Sequence, residues 1–441
     1  MKRFLIFIFI VCVALCSWSQ EGFLFTTHQN KIVIPFQLMN NLIILPIEVN
    51  GIALNFILDT GSAETVLFSL EEKDSISFNH VEKIKLKGFG SATYVDGLKS
   101  KNNQLICKGY RDNTHELYIV LDGNFTFSAQ IGIPINGIIG YSFFKNNLIE
   151  IDYVAKKIKI YQNVKRIQKQ IAKRFTTVPI EMEDDKPYFS TICKFENSTL
   201  KTKMLLDTGS SDGIWLFQKN IALNKLPNPN IQDCLGNGFS GPINGKRARI
   251  DALQLSKFMF TKPIVAFPDS ISIANSIRVN NRHGSIGGEL LKRFRLFLDY
   301  PNGLLHIKQN SNFDLPFEYN MSGLTIQNDG YKLVRDSVDV NVSKMGRVAF
   351  DINKEKTILF SYQLVVKPSF IISSIRENSP AAVCGLKTSD IIVSINNNQL
   401  YNETLDSISN LLKSEEGKTI TIVVMRESKK LTFQFQLKKE L

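Results

Sequence analysis

The sequence is poor in the residues that build metal sites and histidine-dependent active sites. Its 441 residues include five histidines and six cysteines, and neither type forms a C-x-x-C pair or a His motif at zinc-ligand spacing. We therefore expect no metal site and no cofactor. Apart from the two cysteines near the N-terminus, the cysteines are Cys107, Cys193, Cys234 and Cys384. A disulfide between Cys193 and Cys234 is one open pairing if the protein is exported.

Long apolar runs are also missing, except at the N-terminus. Residues 4–15 form an uninterrupted apolar run after two basic residues, but a membrane span needs roughly 20 apolar residues. Small residues at Ser17 and Ser19 predict a signal peptide, residues 1–19, that is cleaved after Ser19. The alternatives are an uncleaved anchor and a lipid-modified Cys16, although the residue before Cys16 is too bulky for the usual lipid-attachment motif. We expect export to the periplasm or medium, with no integral membrane segment after cleavage.

The chain also has fewer acidic than basic residues, and its formal net charge is +12. The basic residues are spread along the chain, and the densest group has no interleaved aromatic residues. This pattern favours a solvated linker over a nucleic-acid surface, so we expect no nucleic-acid partner. The group lies between the two halves described below and comprises Lys165, Arg166, Lys169, Lys173 and Arg174.

What the chain has in quantity is length and β-forming apolar residues. At 441 residues it is too long for one ordinary domain core. Hydrophobic residues make up 44% of it, enough for packed cores, and 31 Phe against 8 Met and 2 Trp favour strands. The sequence therefore predicts several domains rich in β-structure.

An internal repeat organises most of the chain. The segment FILDTGSAETVLFS contains Asp59, and MLLDTGSSDGIWLF contains Asp207, 148 residues later. Glycine-rich stretches that begin at Gly88 and Gly236 have the same separation, and G-I-I-G and G-S-I-G segments follow 147 residues apart. Three features in nearly one register indicate a duplicated architecture.

Each repeat has the pattern of short strands. Leu42 to Val49 and Leu54 to Leu58 are apolar or alternating runs around Asn50-Gly51, which is a strong hairpin signal. Similar hairpins are predicted within residues 149–161 and 296–307, and a short helix after each G-I-I-G or G-S-I-G segment. We expect an N-terminal lobe to residue 165 and a second lobe to residue 310.

The two D-T-G-S segments favour acid–base chemistry. An apolar strand that ends in a tight glycine turn holds the aspartate rigidly at the surface of its lobe. If two such turns face each other, the carboxylates repel and retain one proton between them. One carboxylate can then take a proton from water while the other donates a proton to a scissile carbonyl oxygen.

These paired motifs resemble the aspartic peptidase superfamily over roughly residues 30 to 310. Each lobe looks like a retropepsin, and the fused duplication is similar to pepsin-like enzymes. The resemblance implies a mainly β, bilobal pair of acid-protease β-barrels that hydrolyse polypeptide substrates. Asp59 and Asp207 match the catalytic pair. The supporting positions are threonines that brace the turns, glycines, and serines that hydrogen-bond the outer carboxylate oxygens: Thr60, Gly61, Ser62, Thr208, Gly209 and Ser210.

The resemblance extends to two further motifs. Ile138-Ile139-Gly140 and Ser285-Ile286-Gly287 match the segments that pack behind the catalytic turns, although Ser285 replaces the usual apolar residue. The glycine-rich stretches match the position of substrate-covering flaps. The candidate flap residues are Gly88, Gly90, Tyr94, Gly236 and Gly238, and the second stretch has no tyrosine equivalent to Tyr94.

Two other interpretations of the repeat stay open. The D-T-G-S turns could be purely structural in a non-catalytic peptide-binding scaffold, since fold resemblance does not establish activity. Each half could also be an independent domain, which would then need dimerisation to assemble a pair of carboxylates.

The pattern changes after residue 310. The stretch from Ile375 to Leu400 resembles the S-P-A…G-L…D-x-I…I-N signature of bacterial PDZ domains, with Cys384 and Ser389 as mild departures. A helix with Leu405 and Leu412 on its apolar face is predicted to follow, and Thr404 is its expected cap. Residues 311–441 are therefore expected to form a small α/β PDZ-like domain, closed by strands within residues 419–437.

PDZ domains bind a peptide as an added strand and capture a terminal carboxylate with backbone amides. Protein C-termini are the partners that this resemblance implies. Met321 to Leu324, with Gly323 and Leu324 as peptide-binding candidates, could form the carboxylate loop, and the segment Tyr362 to Val366 is the other candidate. Residues 325–361 exceed what a compact PDZ domain needs and suggest an inserted hairpin. The module could also pack on the peptidase without binding any ligand.

Overall fold

A computed structural model describes most of the chain. The described residues are 22–26, 28–70, 75–86, 94–121, 127–162, 164–221, 223–238, 241–273, 281–338 and 361–441. The predicted signal peptide, residues 1–19, lies outside them, as do Gly88, Gly90 and the middle of the predicted insertion, residues 339–360. No helix in the described ranges is long and apolar enough to cross a membrane.

The chain forms two compact units. One comprises Met1–Phe125, Ile135–Asn228 and Leu235–Pro316, and the other comprises Thr126–Pro134, Pro229–Cys234 and Phe317–Leu441. The first unit contains most of both repeats, and the second contains the C-terminal module together with residues 126–134 and 229–234. Both are built mainly from β-strands, so the fold class expected from the sequence is confirmed.

The first repeat contributes strands and short helices up to residue 174. The strands are β1 Leu24–Phe25, β2 Lys31–Pro35, β3 Gln37–Met39, β4 Leu42–Val49, β5 Ile52–Leu58, β6 Val66–Leu67, β7 Glu82–Leu86, β8 Val95–Cys107, β9 Tyr110–Val120, β10 Gly137–Ile139, β11 Leu148–Asp152 and β12 Lys157–Tyr161. The helices are α1 Phe127–Ile131, α2 Tyr141–Phe144 and α3 Lys165–Arg174.

The second repeat has a similar order of elements. Its strands are β13 Thr176–Pro179, β14 Glu181–Glu183, β15 Lys186–Phe195, β16 Ser198–Leu206, β17 Ile214–Leu216, β18 Asn230–Gly238, β19 Gly241–Arg249, β20 Ala252–Leu255, β21 Phe258–Thr261, β22 Ile264–Pro268, β23 Gly284–Ile286, β24 Phe294–Asp299 and β25 Leu304–Gln309. Its helices are α4 Ser270–Ile273 and α5 Gly288–Leu291. The short helices expected after the G-I-I-G and G-S-I-G segments are therefore present as α2 and α5.

The main sheet of the first lobe closes on itself. Its order is β1-β9-β6-β10-β5-β4-β8-β7, and β8 also pairs with β9. The β4–β5 hairpin turns at Asn50 and Gly51, which have φ angles of 46° and 90°. Two positive φ angles are what a two-residue turn of the Asn-Gly type requires, and this predicted hairpin is confirmed.

The second lobe has the corresponding sheet, ordered β18-β19-β22-β17-β23-β16-β15-β20-β21. In each lobe one short strand runs parallel beside the strand that carries the aspartate. Gly137 to Ile139 pair with Phe56 to Leu58 in the first lobe, and Gly284 to Ile286 pair with Met204 to Leu206 in the second. The repeat in the sequence is thus a repeat in topology.

A third sheet joins the two lobes. Its order is β13-β25-β24-β11-β12-β2, so strands of the second lobe occupy one half and strands of the first lobe the other. The predicted hairpins at 149–161 and 296–307 are its β11–β12 and β24–β25 pairs. Antiparallel pairing between β11 and β24 connects the two halves.

The basic segment between the lobes is helix α3 and not an extended linker. Its apolar positions Ile167 and Ile171 pack on Leu148 of the first lobe and Phe297 of the second. Such an amphipathic face stabilises a helix that isolated propensity would leave marginal. The lysines on the other positions of α3 are exposed.

The C-terminal module has one sheet, ordered β26-β27-β28-β30-β31, with β29 paired to β28. Thr404 accepts a hydrogen bond from Ser407 N at 3.1 Å and so caps the last helix as predicted. The expected inserted hairpin begins as the long β26–β27 ladder. The elements are β26 Leu324–Val338, β27 Ser361–Ile375, α6 Pro380–Val383, β28 Ile391–Ile395, β29 Asn398–Gln399, α7 Leu405–Leu412, β30 Thr419–Arg426 and β31 Lys429–Gln436.

Candidate active site

The two predicted catalytic aspartates follow equivalent strands. Asp59 comes directly after β5, and Asp207 comes directly after β16. Asp59 N donates to Ile139 O and Asp207 N donates to Ile286 O, each at 2.9 Å. The short parallel strand in each lobe therefore holds the backbone of its aspartate at the point where the side chain leaves the sheet.

The threonines lock the two turns together. Thr60 N donates to Thr208 Oγ1 and Thr208 N donates to Thr60 Oγ1, both at 3.0 Å. Each hydroxyl also donates to a carbonyl of the other lobe at 2.7 Å, Thr60 to Leu206 O and Thr208 to Leu58 O. All four donors are buried, so the bonds tie the lobes at one point without exposure to water. This is the bracing role that the resemblance implied.

The glycines after the threonines bring the carboxylates together. A Cβ atom at Gly61 would lie 3.0 Å from Asp207 Oδ1 and 3.1 Å from Asp59 Oδ1. A Cβ atom at Gly209 would lie only 2.2 Å from Asp59 Cγ. Oxygens of both carboxylates thus approach one point, which requires residues without side chains. The structure brings together Asp59 and Asp207 as the sequence predicted.

The surroundings of the two aspartates raise the pKa of both carboxyls. Burial raises the pKa of Asp59 to about 7, and repulsion from Asp207 adds to the shift, against hydrogen bonds from the Gly61 and Gly209 amides. Burial also raises the pKa of Asp207, but Arg282, Lys186 and a hydrogen bond from Ser285 oppose that shift. Such a pair keeps one proton over a wide range of pH.

The serine of the first turn differs from the implied role. The Ser62 hydroxyl donates to Glu64 O at 2.8 Å, so its proton stabilises the turn and does not reach the Asp59 carboxylate. Ser210 N donates to the backbone oxygen of Asp207 at 3.3 Å. Ser285, the residue at which the G-S-I-G segment departs from the apolar pattern, acts to lower the pKa of Asp207.

The candidate flap residues are only partly described. Gly88 and Gly90 lie outside the described residues. Tyr94 lies directly before β8 and is 63% exposed. Gly236 and Gly238 lie on β18, which forms a hairpin with β19, and Gly236 has a φ of 143° that favours glycine. The second glycine-rich stretch therefore forms a β-hairpin in the second lobe.

Two cations near the carboxylates were not predicted. Arg282 is buried two residues before β23, and Lys186 opens β15. Both interact electrostatically with Asp207 and with Asp59. Aligning the repeats gives a signal for Arg282, because its counterpart 147 residues earlier is Ile135. Lys186 belongs to no repeated motif, so only the fold reveals its position.

The four cysteines in the described part of the chain form no disulfide. Cys193 and Cys234, the pairing left open by the sequence, carry no disulfide in the structure. Burial raises the pKa of the Cys193 thiol to about 11 and that of the Cys107 thiol to about 12. Both buried thiols are therefore protonated and unreactive near neutral pH.

The predicted carboxylate loop of the C-terminal module lies directly before the edge strand β26. Gly323 has a φ of 79°, and its amide donates to Asn320 Oδ1 at 3.3 Å. Leu324 N donates to Ser322 Oγ at 3.0 Å. Met321 N donates to Leu412 O at 3.0 Å and so connects the loop to the end of α7. The other candidate, Tyr362 to Val366, lies within strand β27.

The family model described as "PDZ domain" matches residues 371–426. The C-terminal module is a PDZ domain. The serine endoprotease DegS of Salmonella typhimurium (strain 14028s / SGSC 2262) is 36% identical over 66 residues. This match spans 14% of the present chain and only 18% of the length of DegS.

A comparison of structures finds an aspartic proteinase from Irpex lacteus. The match covers 65% of this chain and 99% of that protein, with 12% sequence identity and a TM-score of 0.40.

Proposed function

We propose that the chain is an exported aspartic-type endopeptidase that uses Asp59 and Asp207 as its catalytic pair and carries a PDZ domain for peptide or substrate binding. The observation that supports this most strongly is the meeting of two aspartates at glycine turns that are interlocked by Thr60 and Thr208. A structural turn would not need two half-buried carboxylates beside each other, because their mutual repulsion destabilises the fold.

The chemistry needs only the groups of this pair and a water molecule. The ionised carboxylate accepts a proton from water while the water oxygen attacks the scissile carbonyl carbon. The protonated carboxyl donates its proton to the carbonyl oxygen, which yields a neutral tetrahedral intermediate. The substrate is an extended polypeptide, and the glycine-rich hairpin around Gly236 and Gly238 serves as one flap over it, with Tyr94 in the counterpart.

The PDZ domain supplies a second contact with polypeptide in this proposal. Strand β26 is at the edge of its sheet, and an extended peptide can pair with such an edge between the strand and helix α7. In this proposal Gly323 and Leu324 would receive the peptide terminus after their amides leave Asn320 and Ser322. The domain would select substrates by their C-termini or tether the enzyme to a partner.

The decisive experiment is cleavage of an unfolded protein and of a diverse peptide library from pH 3 to pH 8. Wild type, Asp59→Asn and Asp207→Asn are compared as mature chains. We expect cleavage in wild type and its loss in both variants, because each carboxylate performs a different proton transfer. Cleavage that survives either substitution would exclude a shared pair. Inactivity of wild type at every pH would favour a non-catalytic peptide-binding scaffold.

Export is tested separately. We expect the secreted or periplasmic form to begin at Gln20, after removal of residues 1–19. N-terminal sequencing of the protein recovered from its producing cells checks this. Recovery with residues 1–19 intact in the membrane fraction would instead indicate an uncleaved anchor.

A further inference from the structure

The compact unit that contains the PDZ domain also includes a segment of the first repeat. This segment, Thr126–Pro134, lies between β9 and β10 in the sequence. It forms the five-residue helix α1, Phe127–Ile131, and a turn at Gly132. The first four residues of α1 are half-buried, and Ile131 is only 4% exposed. Because so short a helix is unstable alone in water, packing within the unit that contains the PDZ domain stabilises it.

Helix α1 contacts the strand that forms one wall of the peptide groove. It lies beside β26. In the part of the chain that the structure describes, β26 pairs with β27 only. The other edge of β26 is where a PDZ domain adds its peptide as a strand. Since α1 is a helix and does not pair with β26 as a strand, it leaves the strand-addition position of β26 unused.

The turn after α1 contacts the other wall of the groove, helix α7. A Cβ atom at Gly132 would lie 3.2 Å from Leu405 Cδ1 and 3.4 Å from Leu405 Cγ. Leu405 is the first residue of α7 and is only 7% exposed. Gly132 has a φ of 85°, a conformation that favours glycine, and its amide donates to Ser128 O at 2.8 Å. One short segment therefore contacts both walls of the groove.

These contacts place the segment at one end of the groove. Met321 N donates to Leu412 O, so the carboxylate loop lies at the last residue of α7, whereas Gly132 lies at the first. Helix α7 rises about 10 Å between these two residues, which equals about three residues of extended peptide. A ligand longer than this meets Gly132.

The loop end of the groove is closed by other contacts. Gly323 N donates to Asn320 Oδ1 at 3.3 Å, and Leu324 N donates to Ser322 Oγ at 3.0 Å. The amides that would receive a terminal carboxylate therefore already have acceptors. The domain thus uses internal contacts at both ends of its groove, which is the arrangement expected of a site that is closed at rest.

The segment is tethered by the residues that follow it. Ile135 is fully buried, and Asn136 N donates to Asn55 O at 2.8 Å just before β10 begins. A tethered segment competes with a free peptide at an effective concentration on the order of millimolar. Weak individual contacts are therefore enough to exclude a dilute peptide from the groove.

We propose that α1 and Gly132 are an internal ligand of the PDZ domain, and that an extended polypeptide C-terminus binds fully only by displacing them. The inference rests on the peptide-binding part of the proposed function and not on its catalytic part. The partner that fits is a protein whose C-terminus is free for more than about three residues, since a shorter free end does not reach Gly132.

The test compares two glycines that have nearly the same backbone conformation. Gly132→Val strains a φ of 85° and adds a side chain against Leu405. Gly109→Val, in the β8–β9 turn, strains a φ of 84°, but its Cβ atom would meet no atom nearer than Thr26 Oγ1 at 3.6 Å. Gly109→Val is therefore the matched control. Both are made in the full mature Asp59→Asn chain, so that cleavage does not consume the peptides.

The measurement is the affinity for a library of peptides with free C-termini, three and eight residues long, by fluorescence anisotropy. We expect Gly132→Val to bind the eight-residue peptides roughly tenfold more tightly than the Asp59→Asn chain, because the competent state is more populated. Gly109→Val should bind them as the Asp59→Asn chain does. Lengthening the peptide from three to eight residues should add more affinity in Gly132→Val than in the other two chains.

The outcomes separate the internal ligand from peptide recognition itself. Equal affinities in Gly132→Val and Gly109→Val would overturn the internal ligand, while peptide recognition by the PDZ domain would stand. If no peptide binds to any of the three chains, both fail, and the proposed cleavage chemistry is unaffected.

Hydrogen exchange gives a check that needs no change in the segment. Binding of an eight-residue peptide to the Asp59→Asn chain should speed amide exchange in residues 128–132, because displacement opens the hydrogen bond from Gly132 N to Ser128 O. Unchanged exchange there at saturating peptide would show that α1 is only a structural part of the unit, and would contradict the proposal.

Discussion

The two lobes share the elements that position their aspartates and differ in what surrounds them. Each has the aspartate strand, the parallel short strand and the interlocked threonine. One further hydrogen bond occurs at equivalent positions of the two lobes but between different residue types. In the first lobe Asn55 N donates to Asn136 Oδ1, and in the second Lys203 N donates to His283 Nδ1.

That difference is informative because the proposed reaction is itself asymmetric. A symmetric pair would have no preference for which carboxyl holds the proton. The features needed equally by both lobes, such as Thr60 and Thr208, are retained in both repeats. The residues behind the carboxylates differ: Ile135 lies in the first lobe and Arg282 in the second. In the proposed reaction, the two carboxylates also perform different proton transfers.

The largest expected effect tests the glycines of the two turns. Gly209→Ala places a methyl group 2.2 Å from Asp59 Cγ, whereas Gly61→Ala meets its nearest atom, Asp207 Oδ1, at 3.0 Å. We expect Gly209→Ala to lower peptidase activity by about 100-fold or more, and Gly61→Ala to lower it less. Rates are measured on variants whose melting temperatures show that they are folded. Equal losses of activity in the two variants would show that both turns tolerate an added methyl group equally, and would contradict this difference between the lobes.

The pH dependence of stability separates the two aspartates. Because the pKa of Asp59 is raised from 3.8 to about 7 by folding, wild type binds more protons folded than unfolded and loses stability as pH rises through this window. Asp59→Asn removes this loss, so the variant should be more stable at pH 7 by up to about 3–4 kcal/mol. Denaturant unfolding at pH 4 and pH 7 measures the difference.

Asp207→Asn is the contrasting variant in the same experiment. Burial raises the pKa of Asp207 as well, but Arg282 and Lys186 oppose the rise, so Asp207→Asn should gain less stability than Asp59→Asn at pH 7. A larger gain for Asp207→Asn than for Asp59→Asn would contradict the difference between the lobes.

The threonine interlock should show symmetry where the aspartates do not. Thr60→Val and Thr208→Val each strand a buried amide and a buried carbonyl of the opposite lobe. We expect each to lower the free energy of unfolding by roughly 2–3 kcal/mol, and the double variant to lose less than the sum because the four bonds form one network. The Thr→Ser variants, which keep the hydroxyls, are the controls. Strict additivity would show that the bonds act independently.

The smallest expected effect lies in the shared sheet. Buried Glu150 accepts hydrogen bonds from Lys159, Tyr161 and Arg295, the last from the other lobe. Its counterpart in the repeat is Phe297, so this network exists on one side only. Glu150→Gln keeps the shape and one acceptor, and we expect a loss of about 1–2 kcal/mol. Phe297→Leu is the control variant at the counterpart position. A loss of stability in Glu150→Gln that appears only at high salt would contradict an ionic cause, because salt screens ion pairs.

Sequence patterns predicted the local elements and the pairing of the turns, because hairpins, turns and repeats depend on nearby residues. Asn50-Gly51 specified its hairpin, and the two D-T-G-S segments identified the carboxylates that meet. The partner of the Ser62 hydroxyl was wrong, because Glu64 O competes for its proton within the same turn. Helix α3 was missed because its apolar face is complete only when Leu148 and Phe297 are adjacent.

The position of Arg282 also could not be predicted from nearby residues. A lone arginine outside any motif has no local signature of burial, and its environment is set by Phe217 and Asn220, more than 60 residues earlier in the chain. Comparing the repeats position by position does expose it, since an arginine at a place occupied by isoleucine is a chemical difference. The PDZ domain was easier to predict, because its signature is confined to one continuous stretch.

The sheet that joins the lobes has a consequence for the life of a newly made chain. Strands β11 and β24 pair although about 145 residues separate them, and contacts so distant in sequence form late and slowly. The first lobe emerges from the ribosome with only one of the two carboxylates. Under the proposed function, a nascent or truncated chain that lacks the second carboxylate would be unable to cleave itself or its neighbours during biosynthesis.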